Sequence, residues 1–462
     1  MRFSTEIVNI ERVERDDNNP GFMCTVHDLI SQLTFKIRTR YLFGADGARS
    51  HVARSLDFKF DSKPSGGKAC NVLLRADLGH LLPEARHAGL HWILKPDRTR
   101  FFGLVAHLRA VRPWKEWVLV CFGPNGTDPF HGLTPESPEL IDCVHELIGD
   151  ESVDVEILRL DPWTVRENVA EQFSTGDADV FLLGDAAHRH PPAFGLGSNT
   201  CVQDAYNLAW KVAYVSKGLA GPGLLESYSD ERQPVGSMLV RASNNGLRSH
   251  ADIWGVLGMF EPSREEGTKQ LAKLSQATSE GATNRAKLHD ALEAVGEEVR
   301  SLGVAYNQWY TSTAVYLRDE RSERPPLSGN SNTDAQISTY PGSRLPHAWL
   351  DLPTRRKLIS TIDLAGKGAF CLLLGIGGDA WGHAARKLSK VTGIPINIYG
   401  IGFRLNFVDV YRDWHAKRGV KEDGCVLIRP DRFVAWRSLT MVPDCERKLM
   451  NVFDHILCRG DS

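Results

Sequence analysis

The sequence has no run of about 18 uninterrupted apolar residues, so a membrane-spanning helix is not expected. It has no excess of one charge. Fifty-five Lys and Arg against 57 Asp and Glu leave a formal net charge of -2, which supplies no general drive toward nucleic acid or an anionic membrane. The start, Met1-Arg-Phe-Ser-Thr-Glu, lacks a basic stretch followed by an apolar one, so it does not read as a secretory signal. Nine cysteines are scattered at 24, 70, 121, 143, 201, 371, 425, 445 and 458, with no C-x-x-C. They read as reduced core thiols of a cytoplasmic protein, not as a disulfide frame. No metal site is expected either. His188-Arg-His190 brings two imidazoles without a third ligand nearby, and zinc needs three or four. The phosphate loop G-x-x-x-x-G-K-[ST] and the nucleophile elbow G-x-S-x-G are both missing.

What is present fits a soluble globular chain of several domains. With 462 residues, 42% hydrophobic and 24% charged, about three domains are expected. Phe3 to Val13, Gly21 to His27 and Leu33 to Phe43 read as three strands of an antiparallel meander, the first two separated by the turn cluster Asp16-Asp-Asn-Asn-Pro-Gly. The third strand ends at the corner Gly44-Ala-Asp-Gly-Ala-Arg-Ser. Cys70 to Ala76, His91 to Leu94, Phe101 to Ala106 and Trp117 to Phe122 predict one further antiparallel sheet. Asp177 to Asp185 holds a buried strand that ends in Gly-Asp. Cys201 to Ser216 is the clearest helix, with Val202, Ala205, Leu208, Ala209, Val212 and Ala213 on one predicted face. Ser198 or Asn199 is the expected cap and Gly218 the expected stop. Residues 240–320 read as mainly helical, Arg321 to Asn332 as a linker, and the remainder as a compact α/β unit around the helix Trp381 to Lys390.

The chemistry-bearing stretch runs from Gly184-Asp185 through His188, His190, Pro191 and Pro192 to Gly195-Leu196-Gly197-Ser198-Asn199. A strand-end carboxylate accepts hydrogen bonds from ligand hydroxyls. Glycines let the backbone approach a ring. A helix start offers free N–H groups and the positive end of its dipole to an anion. Together they suit a ligand that combines a polyol with a ring able to become anionic, and reduced flavin is one.

Several stretches, in order, resemble the FAD-dependent aromatic hydroxylases of the phenol and dichlorophenol monooxygenase kind. These are Gly44-Ala-Asp46-Gly47-Ala-Arg-Ser50-His-Val-Ala-Arg54, Phe181-Leu-Leu-Gly184-Asp185, Gly195 to Asn199, Gln203-Asp204-Ala-Tyr-Asn207-Leu-Ala-Trp210-Lys211, Leu225 to Pro234, Tyr340 to His347 and Val426 to Arg437. The resemblance implies an α/β fold. In it a partial Rossmann-like FAD-binding domain (1–60) continues at 166–325 with further helices, an antiparallel substrate-binding sheet (61–165) is inserted, and a thioredoxin-like domain follows (338–462). It implies hydroxylation of a phenolic ring with FAD, NAD(P)H and O2, and a possible homodimer. By the same resemblance Gly184 and Asp185 meet the ribityl hydroxyls, Gly195 to Asn199 lie on the pyrimidine edge, and Asp46, Gly47 and Arg54 lie near the pyrophosphate and the path of NAD(P)H. Pro191 and Pro192 line the reacting side. From the residues themselves, Trp163 reads either as a wall of the substrate pocket or as a core tryptophan, and His190 as loop packing or a substrate contact. The family opens with G-x-G-x-x-G and an acidic ribose-binding residue, and the sequence begins downstream of both. The alternatives are therefore a non-catalytic remnant or scaffold that holds no FAD, and another flavin reaction such as epoxidation. Gly375-Ile-Gly377-Gly-Asp-Ala380 reads as a strand-to-helix turn and not as a dinucleotide site.

Overall fold

The computed structural model describes residues 2–13, 21–64, 66–82, 88–96, 106–123 and 127–460. The expected turn at 16–20 and the strand residues 101–105 lie outside them. Three strands, β1 (Thr5–Val13), β2 (Gly21–Asp28) and β3 (Thr34–Thr39), form the antiparallel meander. After β4 (Leu42–Gly44) and the short α1 (His51–Ser55), β5 (Phe60–Ser62) leads into β6 (Lys68–Arg75), β7 (Leu90–Ile93), β8 (Ala106–Arg112) and β9 (Glu116–Phe122). Helix α2 (Pro138–Ile148) precedes β10 (Glu156–Thr164), and the five-stranded antiparallel sheet has the order β10-β6-β9-β8-β7. Strand alternation gives this sheet two faces. Val72, Leu74, Leu108, Trp117 and Leu119 pack against Leu140, Val144 and Leu147 of α2 on one of them.

Beyond β11 (Asn168–Ala170), β12 (Val180–Leu182) runs parallel to β4, with Leu182 opposite Gly44. All three β12 residues are buried. Tyr228 Oη donates to the Leu182 carbonyl at 2.8 Å and anchors the strand. Parallel strands release the chain at the same edge, which is where ligands of open α/β sheets bind. The two-residue β13 (His188–Arg189) is followed by α3 (Gly197–Ser216), the 30-residue α4 (Ser227–Val256), α5 (Arg264–Ala272), α6 (Ser279–Gly296) and α7 (Leu302–Tyr306). Helix ends at Tyr306, earlier than the sequence led us to expect. The stretch 321–332 is non-helical and does not hang free, because Asn330 and Asn332 both donate to Glu297.

Two expectations about α3 are corrected. No side chain caps it: the N-cap position is Leu196, and Ser198 and Asn199 already lie inside the helix. Its buried residues are Thr200, Asp204, Asn207, Leu208, Trp210, Lys211 and Tyr214, while Val202, Ala205 and Ala209 are exposed. The apolar period points to the wrong face because polar side chains with buried partners occupy the right one.

The C-terminal region adds β14 (Trp349–Leu352), β15 (Arg355–Ser360), α8 (Thr361–Leu364), β16 (Phe370–Leu374), α9 (Asp379–Thr392), β17 (Ile396–Gly400), β18 (Val408–Asp409), α10 (Asp413–Lys417), β19 (Cys425–Ile428), β20 (Val434–Ser438) and α11 (Cys445–Ile456). Its four-stranded sheet has the order β17-β16-β19-β20, with only β16 and β17 parallel. This is the thioredoxin-like arrangement. Trp210 and Tyr214 of α3 meet Phe370 of β16 edge to face at centroid distances of 5.8 Å, which joins the two regions in one core. No described helix is long and apolar enough to cross a membrane.

Candidate functional site

Strands β4 and β12 end side by side, and each runs into a glycine and an aspartate. Asp46 follows β4. Its carboxylate accepts N–H bonds from His51 at 2.6 Å and Val52 at 3.1 Å and so closes the start of α1, where Ser50 Oγ also accepts from Ala53 N. Burial raises the Asp46 pKa, but the bonds from Ser50, Val52 and His51 outweigh it and hold the carboxyl below its ordinary range. Gly47 has φ +76° with open space where a side chain would point. Arg54 Nη1 donates to the Arg49 carbonyl at 2.5 Å.

Asp185 follows β12 and differs. It is exposed, and its carboxylate receives no hydrogen bond from any described residue; its backbone carbonyl accepts from Arg189 Nε at 3.0 Å. The turn before it is fixed. Gly184 has φ +58°, and a Cβ there would sit 2.8 Å from Cys201 Sγ. Only glycine satisfies both constraints. The Gly184–Asp185 turn therefore rests on the first turn of α3, and the free carboxylate lies beside the uncapped helix start.

Pro191 is buried and Pro192 exposed. Phe194 and Gly195 follow at φ +63° and +60°, with nothing within 4 Å of a Cβ on Gly195. Asn199 Nδ2 donates to the Gly195 carbonyl at 3.3 Å, drawing the loop onto the helix. The first N–H groups of a helix have no partner within it, so those of Gly197, Ser198 and Asn199 face outward beside Leu196. His190 Nδ1 donates to the Pro191 carbonyl at 2.8 Å, and its ring lies 3.5 Å from where a Gly197 Cβ would be. Burial lowers the His190 pKa, so the ring is neutral at pH 7. Trp163 stands apart on β10, where its Nε1 donates to Asn71 Oδ1 at 3.0 Å and its ring meets Phe122 edge to face at 6.1 Å.

A free carboxylate, unpaired N–H groups and a glycine opening beside them are what a flavin's polyol and pyrimidine edge require, so the residues present fit the group.

Sequence reasoning missed the support behind this front. Asp204 Oδ2 accepts from Gly184 N at 3.1 Å and from His188 Nε2 at 2.9 Å, and Oδ1 accepts from Arg232 Nε at 2.8 Å. Burial works against the charged form of Asp204, but Arg232 and His188 outweigh it and hold the carboxyl low. Arg232 Nη1 reaches the Tyr310 hydroxyl at 3.0 Å. One turn along α3, Asn207 and Lys211 donate to Glu231 Oε2 at 2.7 and 2.8 Å, and Arg429 joins the same oxygen at 2.7 Å. Arg429 also pairs with Asp431. Asp204, Glu231 and Asp431 thus balance Arg232, Lys211 and Arg429, and all six are buried. The i, i+3, i+7 spacing of Asp204, Asn207 and Lys211 was the available signal. Also missed was a cavity of about 440 Å³ lined by Arg49, Arg54, Arg166 and Arg189 together with Phe58 and Phe60. Arg189 is half-buried there, between Arg166, Asp185, Arg54 and Asp46.

The front is thus one free carboxylate, Asp185, beside an uncapped helix start at the end of the parallel pair β4–β12. Comparisons with known proteins give the family. Residues 1–243 match the FAD binding domain family, and residues 338–459 match the aromatic-ring hydroxylase C-terminal family. Phenol 2-monooxygenase of Pseudomonas sp. (strain EST1001) is 36% identical over 98% of this chain and 71% of that enzyme. The 2,4-dichlorophenol 6-monooxygenase of Delftia acidovorans is 34% identical over 95% of this chain and 72% of the enzyme. Among solved structures, the flavin-dependent monooxygenase PieE in complex with FAD and substrate superposes with TM-score 0.89 at 34% identity, covering 99% of this chain and 76% of that one. Aklavinone-11 hydroxylase gives TM-score 0.74 at 25% identity, covering 99% and 74%. The chain belongs to the FAD-dependent aromatic-ring hydroxylases.

Proposed function

We propose that the protein is a monooxygenase that hydroxylates a phenolic ring, with FAD held between Asp185 and the start of α3. When bound, FAD supplies the electron transfer from NAD(P)H to O2 and the electrophilic oxygen that the ring receives. The residues do the rest. Asp185 accepts from the ribityl hydroxyls. The free N–H groups of Gly197, Ser198 and Asn199, aided by the α3 dipole, favour negative charge on the pyrimidine edge. Gly195 leaves the approach open, and Pro191 and Pro192 wall the reacting side. The arginine-lined cavity beside Arg54 and Gly47 has the charge to receive a diphosphate of FAD or NAD(P)H. Asp46 serves it indirectly, by fixing the helix that carries Arg54.

One observation carries the reading: Asp185 keeps an unsatisfied carboxylate beside an uncapped 20-residue helix. Asp185→Ala is expected to abolish retention of FAD, read as bound flavin absorbance per chain after gel filtration. Equal flavin content in wild type and variant would overturn the assignment.

A further inference from the structure

The second face of the five-stranded sheet has no helix of its own. Register places Trp92 opposite His107, His107 opposite Val120, Val120 opposite Asn71, and Asn71 opposite Asp161. Side chains two residues apart share a face, so Phe122 and Trp163 belong there as well. The row is aromatic and tightly spaced. Trp92 lies 4.9 Å from the His107 ring and 4.5 Å from the His250 ring; His107 lies 6.2 Å from Phe122.

Helix α4 links this row to the flavin loop. Ser243 Oγ donates to the Ala193 carbonyl at 3.4 Å, a Cβ on Gly246 would touch the Phe194 ring at 2.8 Å, and His250 packs on Trp92 with the rings tilted by 31°. Residues 243 to 250 span about 10 Å of helix. His250 is held by Glu298 Oε1 at 3.0 Å, so the stack is fixed from behind. Within it His107 Nδ1 is buried and has no hydrogen-bond partner among the described residues. Buried polar atoms are normally satisfied, and an unmet one beside aromatic walls marks a place for a ligand's polar group.

We propose that His107 is a specificity-determining residue, whose free Nδ1 accepts a hydrogen bond from the ring hydroxyl of a phenol lying against Trp92 and Phe122. This rests on the reading of the protein as a phenol hydroxylase. His107 binds and orients the hydroxyl and does not take its proton. Burial, with smaller contributions from His250 and Arg109, brings the imidazole to about 4, while a phenol titrates near ~10. Proton transfer would be unfavourable by roughly six powers of ten, whereas a neutral ring accepts a hydrogen bond readily.

The test is a titration of the full chain at pH 7, equilibrated with FAD, using phenol and its methyl ether and following tryptophan fluorescence. Wild type is expected to prefer the phenol by about tenfold, the value of one hydrogen bond. In His107→Phe and His107→Leu the two ligands should bind within about twofold of each other, with ether affinity kept. His107→Asn, which restores an acceptor, should recover most of the preference. In 15N-histidine-labelled wild type, one imidazole Nδ1 resonance, absent from His107→Asn, should move with the phenol and stay put with the ether. An unchanged preference in His107→Phe and His107→Leu, no preference in wild type, or a still resonance overturns the proposal. Flavin content is measured separately. FAD binding with an unchanged preference sinks only the role of His107; a His107-dependent preference without FAD binding sinks only the flavin reading.

Discussion

The front and back of α3 treat carboxylates in opposite ways. At the back, Asp204 and Glu231 are wholly buried, and each has cationic and neutral donors around it. At the front, Asp185 is exposed beside unpaired N–H groups, and its carboxylate takes no hydrogen bond from a described residue. Buried charge without partners is costly, so the back had to be completed by residues from α4 and from the β19–β20 turn. Solvent relieves the front of that demand, which leaves it open to a ligand. Asp46 shows the middle case, in which the same strand–glycine–aspartate pattern serves a neighbouring helix.

Glu231→Ala attacks the back and should have the largest effect. It leaves Lys211 without a counter-charge and Arg429 with Asp431 alone, and should cost about 3–5 kcal/mol, measured by urea unfolding. His107 provides a third environment, half-buried, with an Nδ1 that has no partner among the described residues. Its folded pKa is depressed to about 4 from 6.5, so the unfolded chain binds more protons between those values. Its stability contribution is full above pH 6.5 and falls by up to ~1.4 kcal/mol per pH unit down to about pH 4. His107→Asn should flatten that part of the stability–pH curve. Gly246→Ala places a methyl 2.8 Å from the Phe194 ring and 2.9 Å from Glu298 Oε1. It should cost about 1–3 kcal/mol and loosen the flavin loop, seen as faster proteolysis near Phe194. Asp46→Ala removes a helix-start acceptor and should cost about 1 kcal/mol in the same unfolding assay. Asp185→Ala should change stability by less than about 0.5 kcal/mol while flavin retention is lost. A large loss of stability in that variant would show that the front is structural and would remove the contrast.

Much of this was legible in the sequence. The meander, the antiparallel sheet, β12, the existence of α3 and the Gly184–Asn199 stretch follow from alternation, turn residues and glycine placement. The polarity of α3 did not. Asp204, Asn207 and Lys211 read as solvent-facing because their partners lie 16 or more positions away, Arg429 being 198 residues beyond Glu231. Arg189 escaped notice for a related reason, since Arg54 and Arg166 reach it only through folding. His107 sits in an alternating strand like any other half-buried residue, and its missing partner shows only in three dimensions.

Cys201 lies directly under the Gly184–Asp185 turn, and its thiol is pushed up to about 11 by burial and by the charges of Asp185 and Asp204. At neutral pH only roughly one molecule in ten thousand carries the sulfur as thiolate, the form that oxidants attack. A soft atom beside the proposed flavin site is thereby kept chemically quiet, under the same packing that admits only glycine above it.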